Sequence, residues 1–292
     1  MLFTIKDLEN LSGIKAHTLR IWEQRYSFLK PQRTDTNIRY YTNEELQTIL
    51  TIALLNKHGY KISHIDKMTP EKMAENVLSL TDAEAREHVV INGLLHSMTE
   101  YDIESFEKSI NQYIEQAGFE KTILRILFPF LEKVGILWVT NHVNPAQEHL
   151  VSNIIRQKLI TGIDAIPTNY NSSLKVCLFL PEGEYHELSL LLVNYLLKKK
   201  GIMTIYLGSH TPFKELKLVA QHHKPNYLYT HITSSAQPTN FDKFISSLKE
   251  IEGGLPTIIS GRFTDRYQKN IPKNIFVKQT LAEVRDFIDQ LS

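Results

Sequence analysis

The sequence holds one cysteine, Cys177, in 292 residues, and that alone excludes a disulfide framework. Its place in the apolar run "KVCLFLP" points to a core position, and a reducing, cytoplasmic setting is expected. No apolar run approaches the roughly 20 residues that span a bilayer. Met1 to Asp7 lacks the pattern of a secretory leader, so no membrane partner is expected. Net charge is also nearly absent: 33 Lys and Arg against 32 Asp and Glu leave +1, which excludes a polyanion binder acting through its whole surface. Residues 1 to 40 carry a local excess, with Lys or Arg at seven positions and Asp or Glu at four. A nucleic-acid site must then be local and N-terminal.

What is present there reads as two short helices around a tight turn. In "FTIKDLENLSGIKAHTLRIWEQRY", Ile5, Leu8 and Leu11 form an apolar side and Ser12-Gly13 stops the first helix. The second helix runs from about Lys15 to Tyr26 with Leu19 and Trp22 inward, which leaves His17, Thr18, Arg20 and Arg25 outward or sideways. That is the helix-turn-helix plan, whose second helix enters the major groove of double-stranded DNA. "LKPQRTDTNIRYYTNEEL" adds a turn and a short hairpin, then Thr42 and Glu45 as a capping box for a third helix. Arg33, Arg39, Tyr40 and Tyr41 suit a wing that grips sugar and phosphate. A surface hairpin with a tyrosine packed beneath it, and Arg39 as a structural ion-pair partner, is the alternative.

Residues 3 to 68 resemble the DNA-binding domain of the MerR family in the helix pair, in a basic wing ending in "RYY", and in "TNEELQTILTIALLNKHGYKISHI". The resemblance implies promoter DNA as partner, read by dimers at pseudo-palindromic sites. It puts Thr18 and Arg20 on the recognition helix and Arg39 and Tyr40 on the wing.

From Thr69 to about Thr161 the pattern is helical throughout, with caps and breaks that define about four amphipathic helices, a four-helix bundle rather than one long coiled coil. Within it, "LWVTNHVNPAQEHL" ends one helix at Trp138 and starts another at Asn144-Pro145. Trp138, Glu148 and His149 could converge on one patch at the top of the bundle. A buried Trp with a Glu favoured by the helix dipole is the plainer reading.

After a polar linker near residues 163 to 173, the periodicity changes. "KVCLFLP", "MTIYLG", "NYLYTHI", "LPTIISG" and "KNIFVK" read as five strands alternating with helices. This is an α/β, flavodoxin-like (Rossmann-type) parallel sheet, whose ligands sit beyond the carboxyl ends of its strands. The chain is thus multidomain: a winged helix-turn-helix over residues 1–75, a bundle over 76–165 and the α/β domain over 166–292. The loop "PEGEYHELS" has neither a glycine-rich dinucleotide turn nor a Lys-Ser/Thr pair. It offers His186 before a helix with Glu184 two residues away, where a carboxylate can fix the imidazole tautomer and raise its basicity. A cap or surface role for His186 stays open on these residues alone.

The loop is similar to the Asp-x-His-x-x-Gly signature of the cobalamin-binding fold, followed by the serine-containing "ITSSAQ" and, in place of a glycine pair, "ISGR". The resemblance implies His186 as the lower cobalt ligand backed by Glu184, with Thr233, Ser234, Ser260 and Gly261 lining the cleft for the nucleotide tail. Glu184 replaces Asp, Ser189 replaces Gly, and Ser260 takes one position of the glycine pair.

Joined to a MerR-type head, the bundle and sheet resemble the cobalamin-dependent, light-responsive repressors of carotenoid synthesis, which carry a Trp, nine residues, then Glu-His. Trp138 and Glu148-His149 match that spacing. The resemblance, over residues 3 to 290, implies adenosylcobalamin between bundle and sheet domain, its upper group against Trp138, Glu148 and His149. It further implies a dimer or tetramer that binds DNA in the dark and falls apart when light breaks the cobalt-carbon bond, with no catalytic turnover. The group has a His directly after the Trp. Here Val139 stands there and His142 follows one turn on, so a light-independent or degenerate cobalamin site is an alternative. A corrinoid methyl carrier or enzyme component is the alternative of another class, and the winged helix argues against it.

Overall fold

Several helix starts follow local capping chemistry. The computed structural model describes residues 3–33, 37, 39–80, 83–140, 142–167, 173–233, 241–251, 253–261 and 271–291. They divide into two compact units, Met1–Ile154 and Ile155–Ser292.

In the first unit, α1 (Ile5–Ser12) opens with a capping box between Thr4 and Asp7 and stops at Gly13, whose φ of 75° closes the helix in the left-handed region. Helix α2 (Ala16–Arg25) buries Leu19 and Trp22 against it. The wing is β1 (Gln32–Arg33) antiparallel to β2 (Arg39–Tyr40), with Phe3 bridging to Tyr41 by two backbone hydrogen bonds of 2.7 and 2.8 Å. Thr42 and Glu45 form the expected capping box for α3 (Asn43–Lys57). Helices α4 (Ile62–Ile65) and α5 (Pro70–Leu78) follow, the latter capped by Thr69.

The bundle is α6 (Ala83–Thr99), α7 (Ile103–Ala117), α8 (Phe119–Thr122), α9 (Phe128–Val139) and the start of α10 (Pro145–Asp164). Between α8 and α9 the chain makes a π turn over Ile123–Leu127, where the periodicity reads as one continuous helix. Pro129 explains it. Proline cannot donate to the carbonyl four residues back and its ring crowds it, so the helix widens and Phe128 N–H reaches Ile123 O instead.

In the second unit, β3 (Lys175–Pro181), β4 (Met203–Thr211), β5 (Tyr227–His231), β6 (Thr257–Ser260) and β7 (Ile275–Lys278) form one parallel sheet in the order β4-β3-β5-β6-β7. The continuous apolar runs of the sequence are these strands; the inner strands β3, β5 and β6 are buried on both faces, while the edge strands β4 and β7 are largely half-buried. On one face, Leu216 and Ala220 of α12 (Phe213–His223) and Ile245 and Leu248 of α13 (Phe241–Lys249) pack on Cys177, Phe179, Leu228 and Ile259. Burial pushes the Cys177 thiol up to about 12, so it is an inert core group. Helix α11 (Leu188–Lys199), buried from Leu190 to Leu197, contacts β3, β4, β5 and α14 (Leu281–Gln290). The β3–β4 register slips near Phe179 and Pro181, which bends the carboxyl end of the sheet beside the β3–α11 loop. Among the described residues, no helix is long and apolar enough to cross a membrane.

Candidate functional site

The N-terminal face is built on α2. His17, Arg20 and Arg25 are exposed and Thr18 is half-buried, while Leu19 and Trp22 anchor the opposite side. On the wing, exposed Arg33 donates from Nη1 to Asn37 Oδ1 at 2.7 Å, and Tyr40 donates its hydroxyl to Gln32 Oε1 at 2.7 Å. Arg39 pairs with Glu23 of α2, Nε to Oε2 at 3.1 Å, and so takes the ion-pair role that the sequence had left open. Tyr41 is no surface residue. It is fully buried and its hydroxyl also bonds Glu23; burial, then the neighbouring carboxylate, raises its pKa. Glu23 is thus a strut between recognition helix and wing.

At the α9–α10 corner, Asn144 caps α10 by accepting from Gln147 N at 3.0 Å, and Gln147 Oε1 accepts from Asn144 N in return. Trp138 is 44% exposed on the last turn of α9, against the buried Trp of the plainer reading. Glu148 and His149 pair directly, Oε2 to Nδ1 at 2.8 Å. His142 goes elsewhere. Its ring stacks on Phe3 at 4.9 Å and 10°, and Nε2 lies 3.4 Å from Asp7 Oδ2. Its side chain is 11% exposed, and Nδ1 is 2.9 Å from Thr140 Oγ1. The His142 ring, one turn past Trp138 in the sequence, therefore lies against Phe3 and α1. Lys133 of α9 adds a second link, donating from Nζ to Leu11 O at 2.7 Å.

In the sheet unit the β3–α11 loop turns around Glu184, which is fully buried. Oε1 accepts from His186 Nδ1 at 2.7 Å and from the backbone N–H groups of Tyr185 and His186 at 3.0 Å. Oε2 accepts from Thr233 N and Oγ1, both at 2.8 Å. Burial alone would raise the Glu184 pKa; the bonds from His186 and Thr233 outweigh it and hold the carboxyl at about 2. With its Nδ1–H donated to a carboxylate, the His186 lone pair lies on Nε2, and the side chain is 60% exposed. A ring so oriented could ligate cobalt through Nε2. One Glu184 carboxylate serves His186 and Thr233 together.

Two histidines that the sequence reading passed over stand beside it. His210, at a φ of 52° near the end of β4, accepts at Nδ1 from Gly183 N at 3.0 Å, and its backbone N–H donates to Glu184 O at 3.1 Å. Its ring stacks on exposed Tyr185 at 5.2 Å. His231, at the end of β5, sits 2.8 Å through Nδ1 from Ser260 Oγ, which is also 2.6 Å from the buried Tyr229 hydroxyl. Ser260 is thus engaged from within the sheet, and Gly261 is required by its φ of 106°. Ser189 is half-buried on α11, and Ser234 lies outside the described residues.

Burial, partly opposed by Glu184, lowers the His231 pKa from 6.5 to about 4. The unfolded chain binds this proton first, so the contribution of the neutral ring is complete above pH 6.5 and is lost as pH falls from 6.5 toward 4. His231→Asn removes the titration. The urea midpoint of wild type is expected to drop more between pH 7 and pH 5 than that of the variant; equal drops would contradict this.

These two interfaces define a class. Residues 3–72 match the MerR HTH family regulatory protein model and residues 90–161 match the B12 binding domain model. The chain is a MerR-type helix-turn-helix domain fused to a B12-binding domain, a DNA-binding regulator homologous to CarH- and CarA-like proteins. It is 26% identical over 273 residues to the HTH-type transcriptional repressor CarH of Myxococcus xanthus, covering 91% of each chain. It is 26% identical, also over 273 residues, to the repressor CarA of the same organism, covering 89% of this chain and 87% of that one. The regulator MlrA of Escherichia coli matches 64 residues at 36% identity, 22% of this chain and 26% of its own. The relatives that match across most of the chain are repressors, not enzymes. In fold, the chain is similar to the monomethylamine corrinoid protein of Methanosarcina barkeri, with a TM-score of 0.58 at 13% identity over 70% of this chain and 100% of that one.

Proposed function

We propose that this regulator is a repressor whose grip on promoter DNA is set by adenosylcobalamin and released by light. The observation that carries the cofactor half is the exposed His186 ring, its Nδ1 held at 2.7 Å by the buried Glu184 carboxylate. When bound, the cofactor supplies a cobalt–carbon bond that light can break. His186 would hold cobalt through Nε2, while Glu184 and Thr233 keep the tautomer and the ring direction. Trp138 offers an exposed aromatic face for an adenine base, and the Glu148–His149 pair offers hydrogen bonds for its sugar. Lys133 and His142 tie α9 to α1, so a shift of α9 would be felt by the DNA-binding head. Two heads joined in a dimer gain a high effective concentration for the second half-site, and a tetramer would extend that gain.

A second reading, a cobalamin regulator indifferent to light, is favoured by Val139, which stands where the light-responsive group has a histidine. The test is to load the protein with adenosylcobalamin in the dark, desalt it, and record absorption and elution volume before and after green light. Retention with a light-driven change in both supports the repressor switch, and His186→Ala should abolish retention. Retention without any change in elution selects the second reading, and no retention sinks both.

A further inference from the structure

We infer that Ile21 reads a thymine methyl group in the operator. Helix α2 is sharply two-sided. Its inner side is Leu19 and Trp22, fully buried or nearly so. Residues 17, 20, 21 and 24 share the outer face at helical spacing, and His17, Arg20, Gln24 and the neighbouring Arg25 are exposed and polar. Ile21 is the apolar exception at the centre of that face, 43% exposed.

A lone exposed aliphatic side chain usually needs no explanation. This one lies on the helix that a MerR-type head presents to the major groove, with donors on either side of it. The groove shows polar edges from every base pair, and its apolar group is the C5-methyl of thymine. Facing cytosine, or a polar edge of any base, the branched chain would strip water from a hydrogen-bonding atom and return nothing. Facing thymine, both partners lose apolar surface to water. Arg20 and His17 then supply hydrogen bonds to neighbouring edges or phosphates, and Ile21 supplies a preference that those residues cannot. This inference rests on the DNA-binding head alone and not on the cofactor reading.

The test uses the full-length protein, with and without adenosylcobalamin, to select preferred duplexes from a random-sequence library. Each thymine of the recovered sequence is then replaced by deoxyuridine, which removes the methyl group and nothing else. Wild type should lose about fourfold in affinity at one such position, the worth of one buried methyl-sized group. Ile21→Ala should bind the thymine duplex more weakly and lose its sensitivity to that replacement. Ile21→Val, which keeps a branched aliphatic surface, should retain it. Indifference of wild type to every replacement, an Ile21→Ala variant as sensitive as wild type, or selection that recovers no sequence with a fixed thymine would each overturn the inference. Failure of cofactor retention, with the thymine effect intact, would count against the cobalamin switch and leave Ile21 standing.

Discussion

Gly261→Ala is expected to unfold the sheet unit, or to cost it about 4 kcal/mol or more, because two penalties fall on one atom. The backbone holds a φ of 106°, outside the region where an L side chain is tolerated. A Cβ there would stand 2.2 Å from Ile232 O, 2.9 Å from Ile232 C and 3.0 Å from Ile232 N. All three are backbone atoms, and Ile232 N–H also donates to Ser260 O at 2.8 Å. Relief would require β5 and β6 to part at the ends that carry Ser260 and Thr233. Two nearby glycines grade the effect. Gly254→Ala, at a φ of 91°, meets the movable Asn274 side chain at 3.1 Å. Gly253→Ala, at a φ of 73°, meets nothing within 4 Å and should cost only about 1 kcal/mol. Urea unfolding followed by circular dichroism separates the three. A Gly261→Ala midpoint equal to that of Gly253→Ala would contradict the close approach.

Glu184→Ala should also destabilise the sheet unit and should act on binding as well. The carboxylate is the acceptor for Thr233 N and Oγ1 and for the N–H groups of Tyr185 and His186, so its loss leaves these part-buried and exposed donors without it at a cost of about 1–3 kcal/mol. His186 loses the partner that fixes its tautomer, and corrinoid affinity should fall by roughly 10- to 100-fold. Glu184→Gln should be intermediate in stability, because its amide nitrogen would confront the Thr233 N–H or the His186 Nδ1–H. Because the folded pKa is about 2 against an ordinary 4.5, the carboxylate stabilises above pH 4.5 and the benefit is lost as pH falls toward 2. Thermal melts at pH 7 and pH 4, with equilibrium dialysis against hydroxocobalamin, measure both effects. A Glu184→Ala protein that melts with wild type and binds as well would remove Glu184 from the site.

Much of this architecture was legible because it is local. Continuous β-branched and leucine runs marked all five strands, and Thr42, Thr69 and Asn144 announced helix starts through neighbours three residues away or less. The Glu184–His186 pair was legible for the same reason, being two residues apart in one loop. The π turn before α9 was not, since a helix of unbroken periodicity hides a one-residue widening and Pro129 was the sole cue. Nor was the direction of His142, whose partners Phe3 and Asp7 lie at the far end of the first unit's chain. His210 was missed because its facing follows the irregular β3–β4 pairing, and His231 because its partner Ser260 lies on a neighbouring strand. Arg39 and Tyr41 show the converse: their types suit a phosphate grip, but one carboxylate, Glu23, claims both.

DNA-binding heads of this kind invite exchange, as if any head could be spliced onto any sensor. The ring of His142 on Phe3 and the ammonium of Lys133 on Leu11 O say otherwise for this chain. A chimera that imports a foreign head must import residues able to play Phe3 and Asp7, or carry compensating changes on α9. Without them the graft would keep the contacts of α3 with α6 but lose the stack and ion pair that join the head to the α9–α10 corner.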